Sequence, residues 1–312
     1  MERRNAFLSW KMEEINRKYK SGYVAIVGEP NVGKSTLLNA LLDQKISIVT
    51  NKPQTTRQRV LGILSREDAQ IIFLDTPGLL KPKYLLHKEM VKHAESALAD
   101  ADIILVMADA SRKTKLPEEV SMRVLPLCKT KPVFLVINKV DKANKVELLP
   151  IIQTFAQEKQ FKEIIPISAL KRDNLDAILK TIIQYLPEHE AFYPKDIVSE
   201  YPERFFVAEF IREKLFEKFR EEIPYSTAVE IREFKERETG KTLINADIIV
   251  ERDSQKGIVI GKKGEALKEI GTEARREIEN FLQQEVFLEL HVKVREKWRE
   301  NETIIRQLGY HS

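Results

Sequence analysis

The residues best equipped for chemistry stand at 28–35, Gly-Glu-Pro-Asn-Val-Gly-Lys-Ser, directly after the apolar run Tyr23-Val24-Ala25-Ile26-Val27. Glycines spaced this way let backbone N–H groups converge on phosphate oxygens, and a helix starting at Lys-Ser aims its positive end at the same charge. In such a cradle Lys34 pairs with the β- and γ-phosphates and the Ser35 hydroxyl holds Mg²⁺. Asp75-Thr76-Pro77-Gly78 closes a second apolar run, where an aspartate can hold the metal through water and a glycine N–H can meet the γ-phosphate. Asn138-Lys139-Val140-Asp141 closes a third. The Asp141 carboxylate can accept from N1–H and the 2-amino group of guanine, neither of which adenine offers, so the base expected is guanine. Ser168-Ala169-Leu170 follows a fourth run and can present a backbone N–H to the base oxygen. Residues 51–59 (NKPQTTRQR) carry no periodicity and read as an exposed loop. A threonine there can ligate Mg²⁺ only while a γ-phosphate is present, which would make the loop an order–disorder switch.

These motifs must sit on elements that bring them together. From 22 to 186 short apolar runs alternate with amphipathic segments at 34–42, 86–99, 117–128, 145–160 and 173–186, each reading as helix. Strands apolar throughout, alternating with helices, predict an α/β domain with a mostly parallel sheet and helices on both faces. Past Pro187, Pro194 and Pro202 the order changes to a helix at 205–220, strands at 225–237 and 242–253 turning at 238–241, a glycine-containing loop, a helix at 264–282 and a strand at 286–296. The expected division is a basic amphipathic segment at 1–20, an α/β domain at 21–186, a linker at 187–200 and an α+β domain at 201–312.

The chain has 312 residues, 43% hydrophobic and 32% charged, which describes a globular protein of two ordinary domains. Apolar runs are strand-length, short of the roughly 20 residues that cross a bilayer. The first 20 residues lack a continuous apolar stretch, so no signal peptide is expected. Cys128 is the only cysteine, which excludes an intramolecular disulfide and a cysteine-based zinc site, and its apolar neighbours suit an inert thiol. The five histidines show no ligand spacing. Residues 1–199 carry 31 Lys+Arg against 24 Asp+Glu, and residues 200–312 carry 21 against 24. If the second half binds nucleic acid, it must use a local basic patch.

The ordered set GEPNVGKS, QTTR, DTPG, NKVD and SAL resembles the Era family, in the TrmE–Era branch of the translation-factor-class GTPases, over residues 22–186. The resemblance implies GTP/GDP contacts from Gly28, Glu29, Pro30, Asn31, Val32, Gly33, Lys34, Ser35, Thr36, Asp75, Thr76, Pro77, Gly78, Asn138, Lys139, Asp141, Ser168, Ala169 and Leu170. It implies Mg²⁺ at Ser35, Thr56 and Asp75, Thr56 rather than Thr55 being the loop ligand, and catalytic parts for Asn31, Lys34, Thr56, Asp75 and Gly78. Many GTPases orient the attacking water with a glutamine after the DxxG glycine. Leu79 stands there, so unaided hydrolysis is expected to be slow. Asn31 matches the position that helps bind K⁺ in potassium-activated relatives.

The second half resembles a type II KH RNA-binding domain, as found at the Era C-terminus. The expected RNA contacts are Lys256, Gly257, Ile258, Val259, Ile260, Gly261, Lys262, Lys263 and Gly264, with Ile258, Val259 and Ile260 as an apolar floor under the bases. Resemblance implies a monomeric, cytoplasmic GTPase that binds single-stranded rRNA at the 3′ end of 16S rRNA and assists assembly of the 30S ribosomal subunit, with peripheral association at the inner face of the membrane a further expectation. Two other readings are a GTPase coupled to tRNA modification, for which 187–312 offers no catalytic set, and a regulatory GTPase whose C-terminal half binds protein. Segment 294–300 (VREKWRE) is expected as a charged terminal helix, with Trp298 either core or stacking platform.

Overall fold

The computed structural model describes residues 18–111, 115–143, 145–157, 159–236 and 240–311. The expected N-terminal segment at 1–20 therefore lies largely outside the described residues, as do positions 238 and 239 of the expected turn at 238–241. Strands β1 (Lys20–Gly28), β2 (Val60–Ser65), β3 (Ala69–Asp75), β4 (Ile103–Asp109), β5 (Val133–Asn138) and β6 (Glu163–Pro166) form one sheet in the order β2-β3-β1-β4-β5-β6. All neighbours run parallel except β2, an antiparallel edge strand whose Val60 stands opposite Asp75. Residues of β1, β3, β4 and β5 are buried on both faces, which is why these runs do not alternate.

Helices α1 (Lys34–Leu42), α2 (Leu85–Asp100), α3 (Glu118–Val124), α4 (Lys145–Gln157) and α5 (Leu175–Tyr185) complete this unit. The helix expected at 117–128 stops at Val124 and continues as a 3₁₀ turn over Leu125–Lys129, where Pro126 sits at its start. Chain order reverses beside β1, and the carboxyl ends of β1, β3, β4 and β5 meet at that switch point, where open α/β sheets take ligands.

The stretch expected as a linker at 187–200 is bound along the sheet rather than hanging free. Ile63 N–H donates to Val198 O at 2.7 Å, and Gln70, fully buried, donates to Tyr193 O at 2.8 Å and accepts from the N–H groups of Phe192 and Tyr193. Buried polar Gln70 is satisfied by this strap and by the Ser65 hydroxyl.

The second unit runs α6 (Glu203–Lys218), α7 (Ile223–Ser226), β7 (Ala228–Lys235), β8 (Thr242–Val250), α8 (Asp253–Ile260), α9 (Glu265–Leu282), β9 (Val286–Val294) and α10 (Glu302–Gln307). Central β8 pairs antiparallel with β7 and parallel with β9. Apolar residues of α6, α8 and α9, among them Phe210, Val259, Ile270 and Ile278, share a core with Ile244, Ala246 and Ile248 of β8. Three expectations are corrected here. Asp253–Ile260 is a helix where the end of a strand and a glycine-containing loop were expected. Tyr225 and Ser226 belong to a helical turn, so β7 starts at Ala228. Residues 294–300 hold the end of β9 and a single 3₁₀ turn, and Trp298 is core at 0% exposure, its indole N–H donating to Ser226 O at 2.8 Å.

Candidate functional site

The cradle starts where β1 ends. Gly33 has φ +100°, and a Cβ there would lie 2.3 Å from the Asn138 side-chain nitrogen, so glycine is required both for conformation and for the approach of the third motif. Asn138 uses that closeness, donating through Nδ2 to Val32 O at 2.8 Å and accepting at Oδ1 from Ala169 N–H at 2.9 Å. One buried amide thus ties the phosphate loop to the segment after β6. Lys139, at φ +67°, reaches back to Asn31 O at 2.7 Å and Asp109 Oδ2 at 2.8 Å. Ser168 Oγ donates to Asp141 Oδ1 at 2.6 Å, which fixes the orientation of the carboxylate expected to meet the base. A cavity of about 380 Å³ is lined by Asn138, Lys139, Asp141 and Leu170, with Val49, Thr50 and Asn51 on its far wall. Of the backbone N–H groups in the Ser168–Leu170 stretch expected near the base oxygen, that of Ala169 is engaged by Asn138.

The phosphate end is a second, smaller cavity lined by Pro30, Asn31, Gly33, Lys34, Ser35, Thr36, Gln54, Thr55, Thr56 and Gly78. Lys34 is 6% exposed and donates to Glu29 O at 2.9 Å. Desolvation pulls its pKa down to about 8, against the attraction of the Asp75 and Glu29 carboxylates. Glu29 and Pro30 shape the loop, whereas the Thr76 hydroxyl turns inward to Ile26 O at 2.8 Å. Asn31, at φ +65°, donates from Nδ2 to Asn51 O at 2.9 Å and so holds the 51–59 loop onto the cradle; expected as exposed, that loop buries Thr55, Thr56 and Arg57.

Ser35, Thr56 and Asp75 come together from three separate segments. Ser35 Oγ lies 2.9 Å from Thr56 Oγ1 and donates to Asp75 Oδ2 at 2.7 Å. Ser47, missed in the sequence, donates to the same oxygen at 2.8 Å. Burial raises the Asp75 pKa, opposed by Lys34 and these hydroxyls. Its other oxygen, Oδ1, is buried without a hydrogen-bond partner among the described residues. An orphaned carboxylate oxygen next to two hydroxyls is a donor set of hard oxygens that suits a water-keeping Mg²⁺. Leu79 is buried at 2% and offers no polar atom to a water.

The candidate RNA surface lies at the other end of the chain. Gly261 has φ +74° and its Cβ would meet Ala266 at 2.6 Å, so the turn Gly261–Gly264 between α8 and α9 needs glycine there. Lys262 and Lys263 stand exposed on it. A cleft of about 400 Å³ opens beside the turn, between α9 and edge strand β9, lined by Gly264, Leu267, Lys268, Gly271, Thr272, Arg275, Phe287, Leu288 and Leu290, with Lys241 at its rim. Of the expected contacts only Gly264 lines this cleft. Val259 is fully buried in the core, so it is no groove floor, while Ile258 is half exposed and Gly257 sits inside α8. The missed signal was in β9: strict alternation puts Phe287 on the outward face with Glu289, His291 and Lys293.

A phosphate cradle, a guanine-reading corner and a GxxG turn beside a basic cleft define a P-loop GTPase carrying a KH module. Residues 23–139 match a family described as 50S ribosome-binding GTPase, and residues 222–299 match the KH domain family. The chain is 49% identical to GTPase Era of Geobacter metallireducens over 94% of this chain and 98% of that one, and 46% identical to GTPase Era of Ruminiclostridium cellulolyticum over 94% and 98%. It belongs to the Era family of GTPases. Among solved structures it is similar to a tyrosine-to-alanine variant of Era from Aquifex aeolicus bound to GDP·AlF4⁻ (TM-score 0.90, 48% identity, 94% of this chain and all of that one). It is equally similar to Era in complex with MgGDPNP and nucleotides 1506–1542 of 16S ribosomal RNA (TM-score 0.91, 47% identity, 94% and 100%).

Proposed function

We propose that this chain is a GTP-hydrolysing switch that grips the single-stranded 3′ region of 16S rRNA through its KH cleft and serves assembly of the 30S subunit. The observation that supports it best is a complete nucleotide site joined, in one chain, to the GxxG turn and basic cleft, in a fold shared with an Era bound to that RNA. Cradle N–H groups and Lys34 hold the phosphates, Gly78 N–H meets the γ-phosphate, and Asn138 and Asp141 read guanine. Ser35 and Thr56, with Asp75 through water, would hold Mg²⁺, which neutralises charge developing on the transferred phosphoryl group. Without a polar side chain at 79 the attacking water is poorly oriented, so hydrolysis is slow until a partner or ion helps. Asn31 is the residue for K⁺, its Nδ2 being spent on Asn51 and its amide oxygen left for a cation. Both sites lie in one chain, so a single copy holds every part of the switch, and its rRNA target lies in the cytoplasm. Peripheral membrane contact rests on residues 1–20, of which 1–17 lie outside the described residues.

Crosslinking and sequencing of bound RNA, with GDP and with a non-hydrolysable GTP analogue, tests this reading. Crosslinks at Gly261–Gly264 to a single-stranded rRNA terminus, stronger with the analogue, are expected, and Lys262→Glu with Lys263→Glu should abolish them. No enriched RNA in either state would refute it and direct attention to protein partners.

A further inference from the structure

The loop after α1 does not belong to the GTPase half alone. Lys45 Nζ lies 2.6 Å from Glu213 Oε2 and 2.9 Å from Glu277 Oε1, and Val49 N–H donates to Glu213 Oε1 at 2.9 Å. The Lys52 ammonium donates to the carbonyls of Phe216 and Phe219 at the C-terminal end of α6, where a helix favours a cation. Arg212 donates to Thr55 O. Arg57 goes deepest. It is 2% exposed, with Nη1 donating to Thr227 O at 2.7 Å and Nη2 to Pro224 O at 3.1 Å and Tyr225 O at 3.2 Å. Its guanidinium carbon lies 5.7 Å from the ring centres of Trp298 and Tyr310 and 5.8 Å from that of Phe216.

All six partners belong to the KH half. Burying a guanidinium among carbonyls and ring faces costs desolvation that an exposed position would not incur. Burial duly lowers the Arg57 pKa. A role that only this placement can fill offsets such a cost, and the neighbouring residue supplies one. Thr56 is one peptide away, and consecutive Cα atoms are about 3.8 Å apart. While Arg57 stays in its cage, Thr56 cannot move far from Ser35.

We propose that Arg57 is a positioning residue: lodged in a KH-module cage of three carbonyls and three aromatic rings, it sets Thr56 against Ser35 and thereby couples nucleotide state to the RNA module. The inference rests on the reading of Thr56 as the γ-phosphate-dependent metal ligand. Linkage makes the coupling reciprocal, so RNA that alters the cage changes affinity for GTP by the factor that GTP changes affinity for RNA, typically about 5–150-fold.

The test uses the full chain with Arg57→Ala, Arg57→Lys and Tyr310→Leu, the last removing one wall of the cage without touching the loop. Affinities for a fluorescent GDP and a fluorescent non-hydrolysable GTP analogue are measured in Mg²⁺ without RNA. GDP should stay within about threefold of the parent while the analogue weakens about tenfold or more in Arg57→Ala, within the usual range of coupling. Lysine, lacking the planar fork, should restore little of it, and Tyr310→Leu should give a smaller loss of the same kind. Equal weakening of both nucleotides, or of neither, in the folded variants overturns the proposal. Affinity for a single-stranded 16S 3′-end oligonucleotide is then compared between the two nucleotide states. Arg57→Ala should bring that ratio towards one. A parent protein whose RNA affinity ignores the nucleotide refutes gating and the coupling claimed here, while the RNA-free comparison still decides whether Arg57 positions Thr56.

Discussion

Lys34 carries a titration that nucleotide must reverse. In the folded chain its ammonium gives up its proton at about 8, against an ordinary 10.5, because burial strips its water. Between those values the unfolded chain holds more protons, so stability of the nucleotide-free protein should rise with pH across that window. Phosphates favour the charged form, so binding takes up a proton above pH 8 and affinity falls there. The dissociation constant for GDP, measured by calorimetry, should be flat from pH 6.5 to 7.5 and weaken towards about tenfold per unit above 8. A flat profile to pH 9.5 would show that Lys34 does not carry the phosphate charge. Motif residues such as Lys34, Asp75 and Asp141 were legible because each stands at or within a few residues of the end of an apolar strand, at a spacing that chemistry demands. Ser47 was not, since nothing in its neighbours signals a hydrogen bond to a carboxylate 28 positions away. Only the return of the loop beneath β3 brings the two together.

At the scale of elements, strands apolar on both faces and the long amphipathic helices were readable, whereas α8 was not. Gly257 and the run Ile258-Val259-Ile260 suggest a loop with an apolar floor, yet packing selects a helix that buries Val259, rests Ile260 partly on the core and leaves only Ile258 exposed. Beside the GxxG turn the exposed apolar side chains are then Ile258 of α8 and Phe287 of β9, and only Phe287 lines the cleft. Phe287 is 51% exposed on an edge strand, beside Lys268 and Arg275 across the cleft. An exposed ring among cations is a stacking platform that every base can use, worth about 1–3 kcal/mol per base. Phe287→Ala should therefore weaken binding of a single-stranded oligonucleotide by about 5–150-fold, with little change in melting temperature because the ring is not core. Lys268→Ala should instead reduce the salt dependence of binding by about one unit of slope. Fluorescence anisotropy over a salt series separates the two, and an unchanged affinity in Phe287→Ala would place the bases elsewhere.

For the molecule as a whole, composition predicted two domains, but the packing does not treat them as independent. Leu86 and Met90 of α2 are buried in one cluster with Ala228, Ile249, Trp298, Ile305 and Tyr310 from the KH half. His93 shares a hydrogen bond with Tyr310 O at 3.2 Å, and the Arg299 guanidinium lies 4.8 Å from the centre of the Tyr84 ring. Interfaces of this kind escape sequence reading because α2 looks like any amphipathic helix, and which element covers its second face depends on the path of the chain after residue 187. A shared core makes unfolding cooperative across both halves, where independent domains would melt separately. Met90, 1% exposed, tests the distinction because it lines neither the nucleotide cavities nor the RNA cleft. Met90→Ala should cost about 2–5 kcal/mol through the cavity it leaves. With Trp10→Phe as background, Trp298 is the sole indole and reports on the KH half. Urea unfolding followed by Trp298 fluorescence should shift to lower denaturant in Met90→Ala, although the substitution lies in the GTPase half, and should coincide with the loss of far-ultraviolet circular dichroism. A Trp298 transition that stays where it was, while the dichroism splits in two, would mean that the halves fold separately and that Arg57 and Lys52 join two independent bodies.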